Sequence, residues 1–149
     1  MEAIVALSLL AWAPVFESFQ QVLGPRVYAK LYPDWRRQQA EVVESICGDT
    51  AITVTWVAEV DGVVTGFIAY QLNAADKSGV GELLAVHPDY QNHGIGTDLN
   101  TFALTKMQES GMEIAWVGTG GDPGHAPARR SYEKAGYTDL PIARYFKAL

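Results

Sequence analysis

Leu83-Leu84-Ala85-Val86-His87-Pro88-Asp89-Tyr90-Gln91-Asn92-His93-Gly94-Ile95-Gly96-Thr97 runs from an apolar strand, through a polar loop, into a helix. Gly94 and Gly96 remove side chains where that helix begins. Backbone N–H groups are then free to face a ligand without obstruction. The first turn of a helix carries unpaired N–H groups and the positive end of the macrodipole. Together these make a site for a phosphate or pyrophosphate. On spacing alone, the same glycines serve a tight strand-to-helix turn equally well. Two other phosphate-binding patterns fail. No Gly-x-x-x-x-Gly-Lys-Ser/Thr run exists, and Gly118-Thr119-Gly120-Gly121-Asp122-Pro123 has Pro123 where a dinucleotide fingerprint needs its third glycine.

Upstream, residues 3–23 place Ile4, Leu7, Ala11, Val15, Phe19 and Val22 at helical spacing. Pro14 is expected to kink or divide this helix and Gly24-Pro25 to end it. Pro33 closes a short helical stretch, Asp34 caps the next helix and Gly48 stops it. From Ala51 to Val60 apolar and polar residues alternate, which predicts a strand. Asp61-Gly62 is a hairpin turn and Val63–Leu72 the return strand. Asn73–Gly79 reads as a loop and Val80–Val86 as a third strand. Downstream the pattern predicts a helix over Leu99–Gln108, a strand over Glu113–Gly118 and a helix over Ala126–Ala135. Segments around Tyr137 and Ile142–Phe146 are candidate final strands. The order implies an α/β fold, a mixed sheet with helices in a single domain spanning residues 1–149.

The chain of 149 residues is 48% hydrophobic and 19% charged, enough for one packed core. Its formal net charge of −6 repels nucleic acid, and the only basic pairs are Arg36-Arg37 and Arg129-Arg130. A lone cysteine, Cys47, excludes an internal disulfide and a cysteine-rich zinc site, and no other cluster has metal-ligand spacing, so no metal is expected. The apolar run Met1–Phe16 has Glu2 where a signal peptide needs a basic residue, and it is shorter than the ~20 residues of a membrane span. It reads as a buried helix of a cytoplasmic protein that contacts no membrane.

Gln91-x-x-Gly94-x-Gly96, following a strand and Val86-His87-Pro88, resembles the acetyl-CoA signature of the GNAT N-acetyltransferases. Ala128, Tyr132, Gly136 and Tyr137 match that family's second pattern, at the expected separation. The resemblance implies a GNAT-like fold, a mostly antiparallel mixed sheet flanked by helices. It also implies that acetyl-CoA is the co-substrate. Gln91 belongs to the signature, and the amides of Asn92, His93, Gly94, Ile95, Gly96 and Thr97 would hold the pyrophosphate. The backbone of Leu84, Ala85 and Val86 would pair with the pantetheine arm, and that near Val86 could polarise the acetyl carbonyl. Tyr132 would protonate the departing thiolate. The chain departs from the family in two respects. His125 stands where the family often has Asn, and could still hydrogen-bond the pantetheine or cap the helix. The usual first strand is missing, since the helical stripe starts at Ile4. That leaves an edge beside the strand near Ala51 open to a partner chain, as in a homodimer.

Glu82 is a candidate base for the attacking amine. Simple alternation puts it on the face of Leu84 and Val86, although a solvated strand-end carboxylate fits its position as well. Glu59 is a weaker base candidate, and loop polarity accounts for His87 and His93. The four tryptophans are expected in the core or a pocket wall. The segment carrying Trp12, Phe16 and Tyr28 corresponds to the acceptor side in the resembling family. The expected function is N-acetylation of a small-molecule or peptide amine. A non-catalytic acyl-CoA-binding regulatory module is the alternative, and an acetylase of aminoacyl-tRNA is disfavoured by the net charge.

Overall fold

The computed structural model describes residues Met1–Leu149. Its elements are α1 (Glu2–Leu31), α2 (Trp35–Gly48), β1 (Thr53–Val60), β2 (Val63–Asn73), β3 (Ser78–Val86), a 3₁₀ turn (Pro88–Tyr90), α3 (Ile95–Glu109), β4 (Ile114–Val117), a second 3₁₀ turn (Pro123–His125) and α4 (Ala126–Lys134). One sheet has the order β1-β2-β3-β4, with its first three strands antiparallel and β4 parallel to β3.

Alternation along β2 sends its residues to two cores. Phe67 and Ala69 join Leu83 and Ala85 of β3 beneath Ile4 and Leu7 of α1 and Val43 and Cys47 of α2. Ile68 and Tyr70 meet Leu99, Ala103 and Met107, an i, i+4, i+8 stripe on α3. Burying an apolar side chain such as Phe67 contributes roughly 1.5–3 kcal/mol. Helix α3 lies so close that a Cβ on Gly79 would collide with Met107 Sδ.

Several boundaries differ from the sequence expectation. Pro14 does not divide α1, although it leaves the carbonyl of Leu10, a half-exposed residue, without its helical donor. The break falls at Gly24, whose φ of 78° only glycine adopts freely, and the helix resumes to Leu31. That helix is longer than the apolar run suggested. By length and composition alone it is apolar enough to cross a membrane, yet Ile4, Leu7, Val15 and Phe16 are buried against the rest of the chain. Asp34 caps α2 as expected, accepting from the Arg37 N–H. Strand β3 begins two residues early, at Ser78, and α3 begins at Ile95 rather than Leu99.

The segment after α4 forms no strand, which corrects the assignment of final strands around Tyr137 and over Ile142–Phe146. Leu140, Ile142 and Tyr145 are exposed and no neighbouring strand accepts their backbone. Strand propensity without a ladder partner is insufficient. Glu2–Leu31 is helical and not paired into the sheet, and the outer edge of β1 is unpaired.

Candidate active site

Strand β3 pairs with β4 only from Ser78↔Ile114 to Gly81↔Val117. Beyond Gly81 the two strands separate, while β3 stays paired with β2 as far as Val86. On the β4 side, Glu82–Val86 therefore has no strand partner. The separation coincides with a bulge, since Ala69 faces Leu83, Tyr70 faces Gly81 and Glu82 has no partner across β2. A bulge breaks strict alternation. The sequence reading of Glu82 as facing with Leu84 and Val86 assumed a regular strand. In the structure Glu82 is exposed.

That crevice is lined by Gly81 and Leu84 of β3, Asn100 of α3, Val117, Tyr132 and Tyr137. It brings the strand expected to bind a pantetheine arm together with the tyrosine expected to donate a proton. The Tyr132 ring meets Tyr137 edge-on at 5.6 Å. Burial, with a smaller contribution from Tyr137, pushes the Tyr132 phenol up to about 12. At neutral pH it is fully protonated and can donate.

The loop after β3 turns through two left-handed residues, Asn92 (φ 63°) and Gly94 (φ 83°), the second capping α3. From Asn92 through Thr97 no backbone N–H donates to any group of the chain; the first to do so is that of Asp98, to the Gly94 carbonyl. Six successive unpaired amides at the start of a 15-residue helix, in an exposed loop, fit an anion with several acceptor oxygens. Gln91 is placed differently from these amides: its side chain donates to the Val86 carbonyl at 3.0 Å and holds the loop against the strand end. His87 Nδ1 accepts from the Asp89 N–H, and His93 Nδ1 lies 3.2 Å from the Tyr90 carbonyl, so both rings shape the loop. A Cβ on Gly96 would stand 3.4 Å from Ser131 Oγ and 3.6 Å from Val86 Cγ2, where β3, α3 and α4 converge.

Four residues with no role in the sequence reading complete the surroundings. Asn100, 2% exposed, donates to Ser131 Oγ at 2.9 Å and ties α3 to the helix of Tyr132. Asp122 accepts from Ser18 Oγ at 2.7 Å and from the Gly124 N–H, and pairs with His125 Nδ1. Burial raises the Asp122 carboxyl, but the hydrogen bonds from Ser18 and His125 and the charge of His125 outweigh it, so its pKa is lowered. Arg129 donates to the carbonyls of Gly120 and Asp122 and braces the same loop. Phe19 stacks on Tyr32 and packs 5.3 Å from the His125 ring, beside Phe16, which stacks on Trp35. Trp56 and Trp116 are more than a third exposed, so they are not core residues. Asp122-Pro123 is a turn-capping pair legible in the sequence, whereas contacts over a hundred residues apart, such as Ser18–Asp122, are not.

The chain belongs to the acetyltransferase (GNAT) family, whose model matches residues 13–137. It is 35% identical over 97 residues to a mycothiol acetyltransferase of Sanguibacter keddieii, a stretch covering 59% of this chain and 30% of that relative's length. The fold is similar to the crystal structure of nourseothricin acetyltransferase, with a TM-score of 0.53, 28% identity, and coverage of 58% of this chain and 50% of the other. It also matches the PaiA N-acetyltransferase of Thermoplasma acidophilum in complex with coenzyme A, with a TM-score of 0.69 and 15% identity over 95% of this chain and 86% of the other.

Proposed function

We propose that this chain transfers the acetyl group of acetyl-CoA to a primary amine by direct attack on the thioester. The observation that carries the reading is the run of unpaired amides from Asn92 to Thr97 beside a strand edge left open beyond Gly81. The amides and the helix dipole would hold the pyrophosphate, and the free edge of Leu84–Val86 would receive the pantetheine amides as an added strand. The thioester carbonyl would then lie near the Val86 end, where a backbone N–H can stabilise the oxyanion. Tyr132, lining the same crevice, supplies the proton that leaves with the thiol. His125 has its Nδ1 engaged by Asp122, which leaves Nε2 for a ligand.

A small-molecule amine is favoured as acceptor, on the likeness to acetyltransferases whose names give mycothiol and nourseothricin. The net charge of −6 argues against nucleic acid, and the packing of α1 on the sheet favours a cytoplasmic protein over a membrane-bound one. The experiment is a panel of aminoglycosides, polyamines, glycinamide and an alanine-terminated peptide with acetyl-CoA, reading free thiol and acetylated product. At least one amine should give stoichiometric product. Tight acetyl-CoA binding with no thiol release across the panel would show a binding module instead.

A further inference from the structure

We propose that His125, oriented by Asp122, is the general base that takes the proton from the acceptor's ammonium group. This rests on the acetyltransferase reading and names the residue that makes the amine nucleophilic. An alkylammonium has no lone pair, so a group near the thioester must remove a proton before attack.

Asp122 has a lowered pKa, so it is a carboxylate and can only accept hydrogen bonds. The imidazole nitrogen paired with it, Nδ1, therefore carries the hydrogen, and Nε2 keeps its lone pair. The carboxylate cannot swing away, because Ser18 Oγ and the Gly124 N–H hold its other oxygen. Neither residue is open to bulk water: the His125 side chain is 16% exposed and that of Asp122 8%. A histidine ring held by a doubly anchored carboxylate is better oriented than a free one.

Its placement suits the task. His125 caps α4 and Tyr132 lies seven residues further on. Seven residues are two turns, so the two share one helix face about 10 Å apart along the axis. The acid sits on the thiol side, in the crevice of β3 and β4. The base sits toward the aromatic segment of α1, against Phe19. The thioester would lie between them.

The step balances as follows. R–NH₃⁺ gives one proton to Nε2; the free amine attacks the acetyl carbon and forms the C–N bond. Collapse of the adduct breaks the C–S bond, the thiolate takes a proton by way of Tyr132, and the nitrogen loses its second proton in exchange. The products are the acetamide and CoA thiol, and His125 releases its proton to solvent. Beside the pair, Arg129 of α4 donates to the Asp122 backbone carbonyl, and Tyr32 of α1 lies within reach of the Asp122 charge.

The test compares the parent with His125→Gln, using whichever amine of the panel the parent acetylates fastest. In the variant kcat/KM should fall by about a hundredfold or more and the acidic limb of the pH profile should disappear. Activity within about threefold of the parent, an unmoved acidic limb, or loss of that limb in Glu82→Gln instead, would overturn the assignment. A second measurement needs no variant: ¹⁵N NMR of the parent with the His125 ring neutral should show hydrogen on Nδ1 and none on Nε2. The opposite tautomer overturns the proposal. Absence of acetyl transfer by the parent removes the acetyltransferase reading and this inference together, whereas transfer with an unaffected variant removes only the base.

Discussion

Gln91 reaches back five residues to donate its side-chain amide to the Val86 carbonyl at 3.0 Å, so the loop bearing the unpaired amides is fastened to the end of β3. The bond is solvent-exposed, and a hydrogen bond of this kind contributes only about 0.5–1.5 kcal/mol. Gln91→Ala should leave the melting temperature nearly unchanged while acetyl-CoA binding weakens several-fold, because the amides are no longer held in one arrangement. Calorimetric titration alongside thermal unfolding reads both; equal affinity in the variant would show that the loop keeps its shape unaided.

Gly94 and Gly96 should respond differently to a methyl group. Gly94 has open space around it but a φ of 83°, so Gly94→Ala meets no clash and loses about 1–2 kcal/mol to backbone strain alone. Gly96→Ala places its Cβ at ordinary contact distance from Ser131 and Val86 and should fold normally. Gly96→Asp adds further atoms toward Ser131 and a negative charge beside the amides, and should abolish acetyl-CoA binding. Urea unfolding and binding titration of the three variants test this order.

Tyr132→Phe keeps the ring against Tyr137 and removes the proton donor. Turnover should fall by roughly 10²-fold or somewhat less, with cofactor affinity unchanged. The phenol is raised by burial to about 12, so it is not the group that ends activity at moderately alkaline pH. Its stabilising effect is complete below the unfolded value and is lost as pH rises through the folded one. The parent should therefore lose stability relative to the Phe variant between pH 10 and about 12. Steady-state kinetics and alkaline unfolding curves check the two statements.

Asn100 and Ser131 should prove coupled. Asn100→Ala removes a buried amide whose one hydrogen bond joins α3 to α4, and is expected to cost about 1–3 kcal/mol. With Ser131→Ala in place the cost should shrink, and a double-mutant cycle by denaturant unfolding measures the difference. Strict additivity would mean that the bond does not hold the helices together.

The loop and its helix were legible because their meaning is local: strand, left-handed glycine and helix start lie within fifteen residues. The hairpin of β1 and β2 was legible for the same reason. What the sequence concealed depends on partners far along the chain. The bulge at Glu82 exists only in the register with β2, so alternation by itself does not fix the face that carboxylate takes. The Asp122–His125 pair sits three residues apart and was open to reading, but the Ser18 hydroxyl that anchors it comes from the other end of the molecule. The final segment shows the converse. Leu140 and Ile142 carry strand propensity, yet the fold offers their backbone no ladder.

The brevity of β4 has a mechanical consequence. Four residues of parallel pairing attach it to the sheet, against eight or more registered pairs between β1, β2 and β3. The antiparallel strands thus form a stiff plate, and β4 with α4 forms a lightly hinged arm braced by Asn100–Ser131 at one point and Ser18–Asp122 at another. Both Tyr132 and His125 ride on the arm, whereas the amides of Asn92–Thr97 and the open edge of β3 belong to the plate side. Displacing the arm would break only the short parallel ladder and these braces and would leave the antiparallel ladders intact.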